Sequence, residues 1–282
     1  MSLLRPLFLA LLACLLTLRG FADSESLADR TLKDIGERQK TILADAAKSG
    51  ERLDTDAFRS QVENICHEYE GLLRNNPNFA AGYASYGYLL SKVGMRKESI
   101  AILLKANQLD PDIPLVKNQI GNYLAEEGKP LEAVNYFIAA IKLEPNEPLY
   151  HYQLGTLLYE ARDDFLRSGE WKREALERAM FNAFKKAAEL APDRFEFVFR
   201  YAEAFQDVQD PDYEGGLKVW AGLEAQAPTK IERQTIILEE ANYLIKWGKP
   251  DQAKAKIDLV DDPSLDGQKQ KLVAQLPEMA KK

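Results

Sequence analysis

Residues 83–111 read YASYGYLLSKVGMRKESIAILLKANQLDP, and residues 117–145 read KNQIGNYLAEEGKPLEAVNYFIAAIKLEP. Laid over one another at a shift of 34 residues, Gly87 falls on Gly121 and Pro111 on Pro145. The same step leads on to Gly155 and back to Pro77. A third copy opens with His151-x2-Leu154-Gly155-x2-Leu158 and closes with Met180-x3-Phe184 and Pro192, its second half arriving 13 residues late. The stretches around each closing proline agree as well: LLKANQLDPD, FIAAIKLEPN and FKKAAELAPD. A fixed period of this length marks repeated supersecondary units, each too small to bury its apolar face alone.

Within each unit, apolar residues recur at i, i+3, i+4 and i+7 in both halves, which predicts two amphipathic helices. Gly87, Gly121 and Gly155 have no side chain and let paired helices approach closely, and Ala106, Ala140 and Ala187 leave similar room on the second helix. The proline that ends each unit stops one helix and sets up the next turn. Gly94, Gly128 and Gly248 stand where first helices should end. Outward the pattern weakens. Tyr201-Ala202-x2-Phe205 with Gly216-x3-Trp220 and Pro228 makes a fourth copy, and Ala241-x2-Leu244 with Ala253-x3-Ile257 a fifth. On the other side, Ile65-x3-Tyr69 and Pro77 fit a second helix whose partner, about 28 to 48, is longer and out of register. Leu272, Val273 and Leu276 mark a terminal helix over 266–276 that Pro277 is expected to close.

Three copies in register over 78–192 resemble the tetratricopeptide repeat family, whose pattern places a large residue, Leu-Gly, a small residue, an aromatic and a closing proline at these offsets. The resemblance implies an all-α fold, a right-handed superhelical solenoid of antiparallel helix hairpins, about six units in all, with a C-terminal capping helix. The expected divisions are a signal peptide over 1–22, an atypical N-terminal hairpin over 23–77, repeats over 78–111, 112–145 and 146–192, repeat-like units over 193–228 and 229–263, and a cap over 264–282.

The N-terminal expectation rests on residue order. Arg5 precedes the apolar run PLFLALLACLLTL of 6–18, and Gly20-Phe21-Ala22 precedes polar residues, which describes a secretory signal cleaved after Ala22. The protein is then expected to be exported, periplasmic or secreted. The alternatives are a membrane anchor through the uncleaved N-terminus, for which the run is short, or through Cys14. No other segment approaches the length of a membrane span. The 282 residues carry a net charge of −7, with no Lys/Arg run to favour nucleic acid. Two cysteines and two histidines argue against a disulfide framework or a His-rich metal site. Signal cleavage would leave Cys66 alone, on an apolar stripe with Val62, Tyr69 and Leu73, and its thiol is expected to be buried and inert.

No nucleotide-binding, metalloprotease or hydrolase motif occurs. His151 stands at a packing position of its repeat. His67, Cys66 and Glu68 are neighbours in sequence and therefore point in different directions on a helix. The reading is of a protein without enzymatic activity or cofactor. In the family, first helices line a concave groove. Carried onto this chain, the groove positions include Tyr88 in the first repeat, Asn118 and Asn122 in the second, and Tyr152, Thr156 and Tyr159 with Glu160 in the third. The fourth repeat supplies Glu196, Phe199, Glu203, Gln206 and Asp207. Amides pair with a peptide backbone and aromatic rings offer flat apolar area. This implies a protein or peptide partner held in extended form, or else a merely wet surface tiled by Asn and Tyr. Members of the family that clamp a C-terminal carboxylate use Lys and Arg where this chain has Ala84 and Gln153. With Glu126, Glu160, Glu203 and Asp207 nearby, a neutral or basic segment is favoured. The inserted stretch ARDDFLRSGEWKR of 161–173 is a second candidate surface, with Phe165 and Trp171 either as partner anchors or as covers for lengthened helices. Three functions stay open: an adaptor or scaffold of the envelope or extracellular space, a self-associating structural solenoid, and a subunit associated with an enzyme.

Overall fold

The structure is a computed structural model that describes residues 26–50 and 54–279. The expected signal segment, with Cys14 and the Ala22 cleavage point, lies outside the described residues. Among those described there are 14 α-helices and no strand. They pair consecutively in the order of an all-α solenoid, in two compact units that divide between Asp110 and Pro111.

Unit 1 contains two hairpins. Helix α1 (Leu27–Ser49) packs on α2 (Thr55–Asn75), and α3 (Ala80–Lys92) on α4 (Arg96–Leu109). A reciprocal capping box between Ser26 and Asp29 starts α1, and the Asp54 carboxylate accepts from the Asp56 and Ala57 amides to start α2. The core joins Ile35 of α1, Ile65, Tyr69, Leu72 and Leu73 of α2, and Tyr86, Leu89 and Leu90 of α3. Tyr69 and Tyr86 stack at 5.3 Å, and the Tyr69 hydroxyl donates to Gln39 at 2.7 Å. Burial pushes the Tyr69 hydroxyl up to about 12. Cys66 departs from expectation. It is half-buried at the edge of this core rather than enclosed, and burial raises its thiol above the ordinary value.

Unit 2 opens with a hairpin of α5 (Pro114–Glu126) and α6 (Pro130–Leu143). Next, α7 (Pro148–Glu160) runs almost directly into the short α8 (Arg162–Ser168) before its true partner α9 (Arg173–Leu190). The hairpins α10 (Phe195–Ala204) with α11 (Tyr213–Gln226) and α12 (Lys230–Lys246) with α13 (Pro250–Ile257) follow. The final helix α14 (Asp266–Met279) packs on α12 and α13 through Leu272 and Leu276, while Val273 is exposed. Pro277 does not close it. A proline this near the C-terminal end loses only one backbone donor of the last turns, and the helix runs on to Met279.

Local chemistry sets the turns. Gly94, Gly128 and Gly248 take φ of +80°, +71° and +76°, the left-handed region that a Cβ disfavours. After each, the next amide reaches back five residues along the chain: Met95 to the Leu90 carbonyl, Lys129 to Leu124 and Lys249 to Leu244, all at 2.9 Å. At the equivalent point of the third repeat stands Arg162. Without a left-handed glycine the chain continues as α8, and Gly169 (φ +75°) makes the delayed stop.

The period glycines sit against the second helix of their own hairpin. A Cβ on Gly87 would lie 2.7 Å from Leu103, on Gly121 3.0 Å from Phe137, and on Gly155 2.8 Å from Phe184. Ala106, Ala140 and Ala187 are buried on the facing helices. His151 is half-buried, its Nε2 2.8 Å from the Pro145 carbonyl oxygen.

Candidate functional site

Three first helices of unit 2 bring polar and charged residues to one cleft. It has a volume of about 310 Å³ and lies between Tyr159 of α7, Arg200 and Glu203 of α10, Gln206 and Asp207 just beyond α10, and Glu239, Asn242 and Lys246 of α12. Arg200 organises its floor. Its guanidinium lies 4.3 Å from the centre of the Tyr159 ring and 4.2 Å from that of Phe184, sandwiched by faces that favour a cation. Its Nη2 donates to the Asp207 carboxylate at 2.9 Å, and Nη1 stands 3.8 Å from Glu203. Arg162, the residue that replaces the turn glycine, donates to the Asp207 carbonyl at 2.7 Å and so ties α8 to the same corner.

The two other carboxylates are less well compensated. Burial holds the Glu203 carboxyl above the ordinary carboxylate range; Arg200 and Lys246 oppose this, while Asp207 and Glu239 reinforce it. Glu239 is raised too, again by burial, although Gln268 of α14 donates to it at 2.8 Å. Two buried polar atoms, Arg200 Nη1 and Gln206 Oε1, have no hydrogen-bond partner among the described residues. The cleft thus offers two carboxylates of raised proton affinity beside an exposed tyrosine ring.

The structure gathers four of the sequence-derived groove positions here: Tyr159, Glu203, Gln206 and Asp207. Others do not join them. Asn118 is 0% exposed, with neither amide atom hydrogen-bonded among the described residues, so it cannot grip a partner's backbone from the surface as its i,i+4 pairing with half-buried Asn122 implied. Packing within its unit overrides the helix-face register. Tyr152 is spent on its neighbours, 4.8 Å from Phe197 and 5.9 Å from Phe184. Thr156 donates to the Tyr152 carbonyl at 3.0 Å, and Phe199 packs edge-on against Trp220 at 5.2 Å. In unit 1, Tyr88 is half-buried, with the Lys92 ammonium 5.3 Å from its ring centre.

The insertion resolves to a packing device. Phe165 is 0% exposed within the core of α6, α7 and α9, and Trp171 lies edge-on over it at 5.4 Å. Phe165 is therefore no partner anchor, because it fills space that the extra turns of α9 would leave open. The residues that sequence reasoning missed are Arg200, Glu239, Asn242 and Lys246. Arg200 directly follows the assigned Phe199, but the α12 residues required the spacing of a repeat that had already lost its register.

Among the described residues no three His, Cys, Asp or Glu side chains are placed to hold a metal ion, and no helix is long and apolar enough to cross a membrane. Residues 80–113 and 116–147 match the tetratricopeptide repeat profile. The third aligned copy, broken by the insertion, lies outside these matches. Among solved structures, YrrB, a TPR protein with an unusual peptide-binding site, is similar at a TM-score of 0.58 and 17% identity, over 76% of this chain and 98% of that one. A structure of pilF from Pseudomonas aeruginosa has a TM-score of 0.56 and 15% identity, over 86% and 99% respectively. At such identities the likeness is one of fold. No curated protein matches the sequence. The hairpins α3–α4 and α5–α6 are thus tetratricopeptide repeats, carried on a chain whose other hairpins continue the same architecture.

Proposed function

We propose that the protein is a non-enzymatic interaction scaffold that holds an extended, neutral or basic segment of a partner protein against the first helices of unit 2. The cleft between α7, α10 and α12 carries this reading. Asn242 and Lys246, which line the cleft, can donate to a peptide carbonyl. A lysine or arginine side chain compensates Glu203 and Glu239, the two carboxylates that burial leaves short of counter-charge. Tyr159, 43% exposed at the rim, offers its ring to an apolar neighbour. The repeat content, and a fold shared with a peptide-binding TPR protein, support a protein partner over a small molecule.

The order of residues 5–22 further supports export, with the scaffold working in the envelope or extracellular space. Crosslinking in the native host tests both statements. The captured chain should begin at Asp23, and the crosslinked partner segment should be neutral or basic. Glu203→Lys with Glu239→Lys should cut capture by about tenfold or more, as reversal of facing charges does. An acidic segment crosslinked within this cleft, or capture there that is indifferent to these substitutions, would remove the cleft from consideration. A mass in light scattering that rises with concentration, with no partner captured, would favour the self-associating alternative.

A further inference from the structure

Unit 2 carries a second recess, built from different residues and a different chemistry. It lies between the second helices of two successive hairpins, α6 and α9, over the first turns of α7, and has a volume of about 500 Å³. Its wall and floor are mainly aliphatic, with His151 and Asn182 also in the lining. Ile138 and Ile141 of α6 and Leu154 of α7 are all half-buried, and α9 faces them with the small side chains of Ala179 and Ala183. Those two alanines keep the recess open, since larger residues there would close it from the α9 side.

The rim is cationic. Lys142 stands on the α6 edge and Lys185 and Lys186 on the α9 edge, and the one carboxylate in the lining, Glu189, is taken up by Lys185 at 3.8 Å. Lys142 and Lys186 make no ion pair among the described residues. In a chain of net charge −7, this is a local reversal of sign set around exposed aliphatic surface. Half-exposed isoleucine and leucine in a recess favour a ligand with aliphatic groups to bury. Two uncompensated ammonium groups favour one with carboxylates beside them. A flat layer of lipid headgroups reaches the lysines but not the floor, whereas a polypeptide can place side chains at both depths.

We propose that this groove is a second docking site, for an acidic segment of a partner protein that lays aliphatic side chains on Ile138, Ile141 and Leu154 and sets its carboxylates on Lys142 and Lys186. It is independent of the cleft around Arg200, so one chain would hold two segments of opposite charge.

The test pans a display library of random peptides on the full-length protein and sorts the binders by their response to variants. Lys142→Glu with Lys186→Glu changes two exposed side chains and should leave the thermal midpoint unmoved. Binders lost with that variant should carry Asp or Glu next to Leu, Ile or Val. Their affinity should fall by about tenfold or more at low ionic strength, with the gap closing as salt rises. Ile141→Ala should weaken the same binders, and Glu203→Lys in the other cleft should not. The proposal is overturned if no binder depends on the two lysines, or if the dependent ones are basic. It is also overturned if the charge reversal abolishes only sedimentation with phosphatidylserine-containing phosphatidylcholine vesicles.

Discussion

At Gly155 the space for one methyl group separates two packed helices. A Cβ there would lie 2.8 Å from Phe184. That ring cannot retreat, because it is held between Tyr152 at 5.9 Å and the Arg200 guanidinium at 4.2 Å. Gly155→Ala should therefore destabilise the protein by about 1–3 kcal/mol, the ordinary cost of overpacking. Gly36 lies mid-helix in α1 with nothing within 4 Å of its would-be Cβ, so Gly36→Ala should stabilise by up to about 1 kcal/mol through helix propensity. Denaturant midpoints of the two variants should move in opposite directions. The charged residues of the cleft make a second prediction with a definite sign. Burial raises the carboxyls of Glu203 and Glu239 above their unfolded values, so ionising them disfavours the folded state. Their folded-state penalty is present at neutral pH and disappears as pH falls below the unfolded carboxylate range. Glu203→Gln and Glu239→Gln should each raise the thermal midpoint at neutral pH, with the gain shrinking as the solution is acidified. A gain that grows in acid would contradict the assigned environments.

Element by element, the third hairpin shows how one missing residue type reshapes a repeat. Gly94, Gly128 and Gly248 each end a first helix in the left-handed region, and Arg162 occupies the corresponding point after α7. The chain turns on into α8, stops at Gly169, and returns to form α9 with 18 residues where α4 and α6 have 14. Phe165 closes the space this creates, in contact with the core of α6, α7 and α9. Phe165→Ala should cost about 3–5 kcal/mol, as loss of a fully enclosed phenylalanine does. Trp171→Ala, removing a half-buried ring from above it, should cost less in the same urea titration. Equal costs would mean that the insertion is held from outside rather than from within.

Over the whole chain, stability in a repeat architecture accrues from each unit's contact with its neighbours, so elements at the ends have fewer partners to lose. Helix α1 illustrates this: over 23 residues it fully buries only Ile35 and Gln39. By contrast, the 18 residues of α9 bury seven, Met180 and Phe184 among them. Hydrogen exchange should accordingly be faster in α1 and α14 than in α7 and α9, with the slowest amides in the α9 turns around Phe184. Uniform protection across all four helices would require a more cooperative fold than pairwise packing provides.

Much of this architecture is legible in the order of residues alone. Gly87, Gly121 and Gly155 stand 34 residues apart because each must meet its own second helix, and both partners lie within one repeat. Turn glycines, helix-starting prolines and closing prolines act over a few residues and are read directly from the chain. The groove was only partly legible. Helix-face register named Tyr159, Glu203, Gln206 and Asp207, which line one cleft, yet it also proposed Asn118, which is enclosed, and Tyr152 and Phe199, which are packed against other rings. Periodicity says which way a side chain leaves its helix, but not what stands opposite. That depends on residues such as Phe184, Phe197, Trp220 and Lys246, far along the chain and on other helices. The same limit hid the lysine-rimmed groove, where Lys142 reads in sequence as an ordinary solvated charge. Repeat spacing is a short-range property and was set by the sequence alone. The pairing of Arg200 with Tyr159 and Asp207, and the exposure of aliphatic surface between α6 and α9, were decided only when the hairpins packed.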